Sequence, residues 1–183
     1  STTNEGAEAW VSDGTPGGTK LLKDISAGTE SSYPGSCIPL GNKILFSTYT
    51  TSDGSELWIT DGTPANTKLL KNINAGTSDG YFGSPTKIGN MVYFLGTTVN
   101  NGLEIWETDG TETGTKLQLE TNPETTGSAS NRLMELGGKL YFNATITKDS
   151  LGNELYVHKP SQSTGINNRE ISNIFLYPNP VHS

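Results

Sequence analysis

The stretch that decides the fold is Glu56-Leu57-Trp58-Ile59-Thr60-Asp61-Gly62-Thr63-Pro64-Ala65-Asn66-Thr67-Lys68-Leu69-Leu70. Close copies run from Glu8 to Leu22 and from Glu104 to Leu117, with Trp10, Trp58 and Trp106 spaced 48 residues apart in both intervals. A worn fourth copy begins at Glu154-Leu155-Tyr156. Periods of roughly 40–50 residues are the sequence signature of propellers and related arrays, in which each unit buries its faces against its neighbours. About three and a half modules therefore describe the 183 residues better than a domain count from length alone.

Each module reads as four short antiparallel strands. In the best-defined copy, Ser84-Pro85-Thr86-Lys87-Ile88 and Met91-Val92-Tyr93-Phe94-Leu95 flank a Gly89-Asn90 turn. A polar loop ending at Asn101-Gly102 leads to Glu104-Ile105-Trp106-Glu107-Thr108, and the Asp109-Gly110-Thr111 turn leads to Thr115-Lys116-Leu117-Gln118-Leu119. Dense β-branched and aromatic runs between Gly, Asn and Asp turns predict strands. No window carries a sustained apolar 3.6-residue stripe, so helix is not expected. The predicted class is all-β, with propeller-like blades over residues 1–158 whose repeats start near 8, 56, 104 and 154. A polar linker over 159–173 and a distinct segment over 174–183 follow. The first module enters at its third strand and the last lacks its Asp-Gly turn, so the ring does not close by count. Either earlier blades precede this stretch, or the array is open and capped by another chain.

The repeated residues are expected to be scaffold. Side chains alternate along a strand, so Leu57 and Ile59 point one way and Trp58 the other, and apolar groups on both faces suit a sheet held between two neighbours. Trp10, Trp58, Trp106 and the substituted Tyr156 are predicted to anchor packing between blades, with stacking on sugars as their rival role. Asp13-Gly14, Asp61-Gly62 and Asp109-Gly110 are predicted turn formers, the carboxylate accepting from backbone N–H groups and the glycine taking a positive φ. The hydroxyls of Thr15, Thr19, Thr63, Thr67, Thr111 and Thr115 are placed to bond back onto the same loops. Calcium is the rival reading there, yet each turn supplies a single carboxylate, so no cofactor is expected. Glu8, Glu56, Glu104 and Glu154 open the third strands and Lys20, Lys68 and Lys116 the fourth, which suggests cross-strand ion pairs.

Charge and cysteine use exclude several classes. A net charge of −7, with Arg132 and Arg169 the sole arginines, is unsuited to tracking phosphates, so nucleic acid is not an expected partner. The single cysteine, Cys37, allows no internal disulfide and is read as a small buried hydrophobe. No stretch approaches the ~20 apolar residues of a membrane span, and no secretory leader pattern opens the chain. For an enzyme, His158 and His182 are the available bases near neutral pH, and the non-repeating acids Asp79, Glu120, Glu124, Glu135 and Asp149 show no paired spacing.

Two resemblances bear on function. Leu176-Tyr177-Pro178-Asn179-Pro180-Val181, following a polar linker, resembles the opening of the type A C-terminal sorting domain of Bacteroidetes type IX secretion substrates. The Glu56–Thr67 stretch and its copies resemble the ELWxTDGTxxGT repeats of large secreted bacterial surface proteins. Together these imply an extracellular or outer-surface repeat protein, and with the repetition and the acidic, Thr-rich composition they make a non-catalytic adhesion, scaffold or binding module the leading expectation. Its implied partners are the type IX machinery, through Leu176, Tyr177, Pro178, Asn179 and Pro180, and a surface glycan or another protein chain. A structural subunit of an extracellular or outer-membrane assembly, and a propeller-type carbohydrate-active hydrolase or lyase, are the alternatives. Asp149-Ser150-Leu151 resembles the short Bacteroidetes O-glycosylation pattern, making Ser150 a candidate acceptor, and Asn143-Ala144-Thr145 fits the N-glycosylation pattern.

Overall fold

The computed structural model describes residues 6–120, 129–145, 153–160 and 175–176. Ser150, Tyr177, Pro178, Asn179, Pro180 and His182 lie outside the described residues. Sheet I pairs β1 (Ala9–Val11) with β2 (Lys20–Lys23). Sheet II runs in order through β3 (Gly35–Leu40), β4 (Lys43–Thr50), β5 (Gly54–Thr60) and β6 (Lys68–Lys71). Sheet III repeats this with β7 (Gly83–Ile88), β8 (Met91–Thr98), β9 (Gly102–Thr108) and β10 (Lys116–Leu119). Sheet IV contains β11 (Ala129–Leu136), β12 (Lys139–Thr145), β13 (Asn153–His158) and β14 (Phe175–Leu176). All pairings are antiparallel, and one 3₁₀ turn, Pro64–Asn66, is the sole described helical element. The chain is thus all-β, with sheets of two to four strands in sequence order.

The sheets stack through opposite faces. Leu45, Leu57, Ile59 and Leu70 of sheet II form one core with Val92 and Phe94 of sheet III, and Trp106 packs against it. The other face of sheet III, with Tyr93, Leu95 and Ile105, forms a second core with Leu140, Phe142 and Tyr156 of sheet IV. Each sheet therefore offers an aliphatic-rich face to the aromatic face of the next. Sheet II shows both: Leu57 is fully buried on one side while Phe46 and Trp58, cross-strand partners, are buried on the other. First strands adjoin one another, β7 lying against both β3 and β11. Thr86 and Leu133 clasp there: the Leu133 N–H donates to Ser84 Oγ at 2.7 Å and the Thr86 hydroxyl to Leu133 O at 3.2 Å.

Four departures from the sequence expectations have physical causes. Trp10 is 40% exposed, because its face would meet the aliphatic side of a preceding sheet and none is among the described residues. Cys37 is exposed rather than buried; it lies within the register shift between Gly35 and Ile38, in β3, the edge strand of sheet II. The last module does have a fourth strand, drawn from the tail: Phe175 and Leu176 pair with Val157 and Tyr156. This is the register in which Lys116 and Leu117 meet Glu107 and Trp106 in sheet III.

The fourth correction concerns the recurring glutamates, which are not surface partners of the lysines. Glu8, Glu56 and Glu104 are buried, with Glu56 and Glu104 fully so. Glu56 Oε2 accepts from the Ile73 N–H at 2.7 Å and Oε1 from the Asn74 N–H at 3.2 Å. Glu8 repeats this on Ile25 and Ser26, and adds the Ser32 N–H and hydroxyl. The Glu8 and Glu56 carboxylates thus tie the loops that leave sheets I and II for the next sheet, supplying acceptors to backbone N–H groups that would otherwise be buried unpaired. Beyond that loop the chain enters β3 and β7 through Tyr33 and Ser36, and Tyr81 and Ser84, all at positive φ (47°, 33°, 57° and 47°). Such conformations are strained for side-chain-bearing residues and persist where the surroundings over-determine them.

Candidate functional site: seams between the sheets

The Asp-Gly-Thr turns close one rim of the stack, and their polar groups are engaged locally. Asp61 Oδ1 accepts from the Thr63 N–H at 3.0 Å and the Thr63 hydroxyl at 2.6 Å. Asp13 and Asp109 do the same with Thr15 and Thr111. The Thr15 hydroxyl first, then its N–H, holds the Asp13 carboxyl below the usual carboxylate range, and Thr63 and Asn66 do so for Asp61. Gly14, Gly62 and Gly110 take φ of 88°, 89° and 85°, a region that favours glycine. A hydroxyl pair locks each turn beneath: Thr60 with Thr67 at 2.7 Å, Thr108 with Thr115 at 2.7 Å, and Ser12 with Thr19 at 2.6 Å. Among the described residues no group of three or more His, Cys, Asp or Glu gathers to hold a metal ion. Two results are expected: calcium leaves the thermal midpoint unchanged, and Thr67→Val, which removes a fully buried hydroxyl bonded to Thr60 and to Thr63 O, costs about 1–3 kcal/mol in urea unfolding.

Chemistry that the copies do not share collects at the same rim of the seam between sheets III and IV. Where sheet II has Leu45, Ile59 and Leu70, sheet III has Tyr93, Glu107 and Gln118, and sheet IV faces them with His158, at the position held by Thr60 and Thr108. Tyr93 and Glu107 are cross-strand partners, as are Glu107 and Lys116. The Lys116 ammonium stands 3.3 Å from Glu107 Oε1, its own side chain 62% exposed and that of Glu107 11%. Burial, then the Glu107 charge and hydrogen bond, hold the Tyr93 hydroxyl protonated well above the ordinary phenol range. The Gln118 amide satisfies both neighbours when its nitrogen donates to Glu107 (3.1 and 3.2 Å) and its other end faces His158 Nε2 at 3.4 Å. Burial lowers the His158 pKa, which favours the neutral ring, and Tyr93 meets that ring edge-on at 6.0 Å. The result is a polar network in place of an apolar seam. Its carboxylate is committed to Lys116, Tyr93 and Gln118.

Two open clefts flank the seam between sheets II and III. At the turn rim, a cavity of about 440 Å³ has Lys43, Lys68, Asp61 and Glu112 on its walls and Ile59 and Leu70 on its floor. At the opposite rim a cavity of about 260 Å³ is lined by half-buried Trp106 and by the Asn74, Thr98, Asn100 and Asn101 side chains.

The predicted repeat anchors fall in different environments. Trp58 and Tyr156 are buried, Trp106 borders the cleft at the opposite rim, and Trp10 stands on an open face. Of the non-repeating acids singled out in the sequence, Asp79 accepts from the Ser55 N–H and Glu120 from the Asn101 amide, each bridging distant stretches of chain, while Glu135 accepts from the Gly138 N–H within a local turn. Glu124 and Asp149 lie outside the described residues. The sequence reading passed over Glu107, Gln118 and Asn74. Superposing the modules at the 48-residue period exposes the first two, as a carboxylate and an amide at positions that are otherwise Val11, Ile59, Leu22 and Leu70.

No protein-family model matches the chain, and no curated protein matches it. Among solved structures the chain is similar to an α-L-arabinofuranosidase from Clostridium thermocellum ATCC 27405, at 13% identity and a TM-score of 0.31. That match covers 72% of this chain, which spans about half (48%) of the enzyme's length.

Proposed function

We propose that the chain is part of a secreted or cell-surface repeat protein, a non-catalytic adhesion, scaffold or binding module built of propeller-like blades and exported through the type IX system. The observation that carries this reading is the division of labour among polar residues. The repeated carboxylates of Glu8, Glu56, Asp13, Asp61 and Asp109 and the repeated turn hydroxyls are spent on turns and loops, and the copies diverge at the clefts and seams between sheets. A set of near-identical frames with different seams is the arrangement of a binding array, in which recognition is varied without disturbing the scaffold. The resemblance of Leu176–Pro180 to a sorting segment supplies the route out of the cell, and no described helix is long and apolar enough to cross a membrane.

Export is tested in a type IX-competent host with the full-length protein. Deleting residues 176–180 is expected to leave the protein in the periplasm while the intact form reaches the surface or medium. Equal export of both forms would remove the secretion reading. A surface-adherence assay on the exported protein then tests the binding module.

A further inference from the structure

The cleft at the seam between sheets II and III, on the rim away from the Asp-Gly-Thr turns, carries its own chemistry. Its lining holds one indole, four amide or hydroxyl side chains, four aliphatic residues and no charged residue. The amides are held in place. Asn74, 4% exposed, accepts from the Val99 N–H at 3.1 Å and donates to Asp79 O at 3.1 Å. The Thr98 hydroxyl donates to Asn101 Oδ1 at 3.2 Å, and the Asn101 amide donates to Glu120 at 2.5 Å. Asn100 is exposed at the tip of the same hairpin.

One seam earlier, the matching positions are Ser26, Thr50, Ser52, Asp53 and Trp58, and there the tryptophan is only 8% exposed. The difference is tied to one glycine. Gly96 lies inside β8, where sheet II has Thr48, and a Cβ at Gly96 would stand 2.7 Å from Trp106 Cδ1. Glycine within a strand marks close approach by another group. Here it admits the indole against the backbone, while Phe94 stacks with the indole ring at a centroid distance of 6.4 Å and an interplanar angle of 29°.

We propose that this cleft is a subsite for one ring of a neutral saccharide. Sugars present apolar C–H patches that suit an aromatic side chain and hydroxyls that suit amide and hydroxyl partners. An uncharged lining favours a neutral ring over a uronic or sialic acid. A volume of about 260 Å³ is small for a ligand pocket, which matches one ring of a longer chain. Groups already fixed by their own hydrogen bonds lower the ordering cost of binding. This deepens the binding-module reading and rests on it for its biological setting.

The test is a titration of the full chain with neutral oligosaccharides built on glucose, mannose, galactose, xylose and arabinose, followed by calorimetry on the best of them. Wild type is expected to bind at least one, Trp106→Ala to weaken that binding about tenfold or more, and Trp10→Ala to leave it unchanged. Gly96→Ala, which displaces the indole without removing it, is expected to weaken binding as well. Asn100→Ala, at an exposed tip, reads the same cleft should Trp106→Ala fail to fold. The proposal is overturned if no neutral oligosaccharide binds at millimolar concentration, if only charged glycans bind, or if binding survives both Trp106→Ala and Asn100→Ala in folded protein. Binding that survives both variants would leave the binding-module reading standing, whereas saccharide binding by a protein that neither exports nor adheres would leave the cleft standing and remove that reading.

Discussion

Glu56→Ala is expected to lower the unfolding free energy by about 3 kcal/mol, from two buried backbone N–H groups that each cost roughly 1–3 kcal/mol when unpaired. Those groups belong to Ile73 and Asn74, which have Glu56 as their acceptor. The same carboxylate has a pH signature. Burial outweighs its backbone donors, and with the nearby Asp53 charge pushes its pKa from 4.5 up to about 7. A folded value above the unfolded one means that folding takes up a proton. The contribution of Glu56 is therefore fully present below about pH 4.5 and declines as pH rises through about 7, by at most ~1.4 kcal/mol per unit. Urea unfolding between pH 5 and pH 8, as approximate endpoints for that window, should show the decline in wild type and a flatter profile in Glu56→Gln. Parallel profiles would show that Glu56 titrates normally.

The second large effect is at Trp58. Trp58→Ala removes a buried indole paired across strands with Phe46 and Leu69, and large-to-small core changes of this kind cost ~3–5 kcal/mol. Trp58 Nε1 is buried without a hydrogen-bond partner, so Trp58→Phe, which keeps the ring and loses no hydrogen bond, should cost much less. Trp10→Ala, at the same position of the repeat but on an open face, should change stability by under about 1 kcal/mol. Denaturant midpoints for the three variants decide the matter. A loss at Trp58→Ala no larger than at Trp10→Ala would mean that repeat position, rather than burial between sheets, sets the energetics.

What the sequence made legible is what the repeat enforces. A period of 48, the alternation around Trp58 and the Asp-Gly-Thr turns locate the strands of sheets II and III, because each signal acts over a few adjacent residues. The reach of Glu56 across 17 and 18 positions to Ile73 and Asn74 was not legible, since nothing in the local pattern separates an inward glutamate from an outward one. Recurrence with lysine suggested ion pairs to those glutamates, whereas Lys116 pairs instead with the non-repeating Glu107. Cys37 misleads for a similar reason: its neighbours Ile38 and Leu40 are partly or fully buried, while a register shift turns the thiol outward. The Trp106 cleft depends on Gly96 standing where its counterpart is Thr48, a difference whose meaning appears only when the ring is seen against it.

The tail strand β14 has a consequence for how the chain is made. Val157 and Phe175 pair over 18 positions, whereas Glu107 and Lys116 pair over nine. Doubling a loop adds only about 0.6 kcal/mol to its closure entropy, so the equilibrium is scarcely affected. Timing is affected more. Sheets II and III hold all their strands within contiguous stretches and can close behind the advancing ribosome, while sheet IV waits for residues near the end of this stretch. Of the described strands, β14 is then the last to be made, and sheet IV is complete only once Phe175 and Leu176 are available.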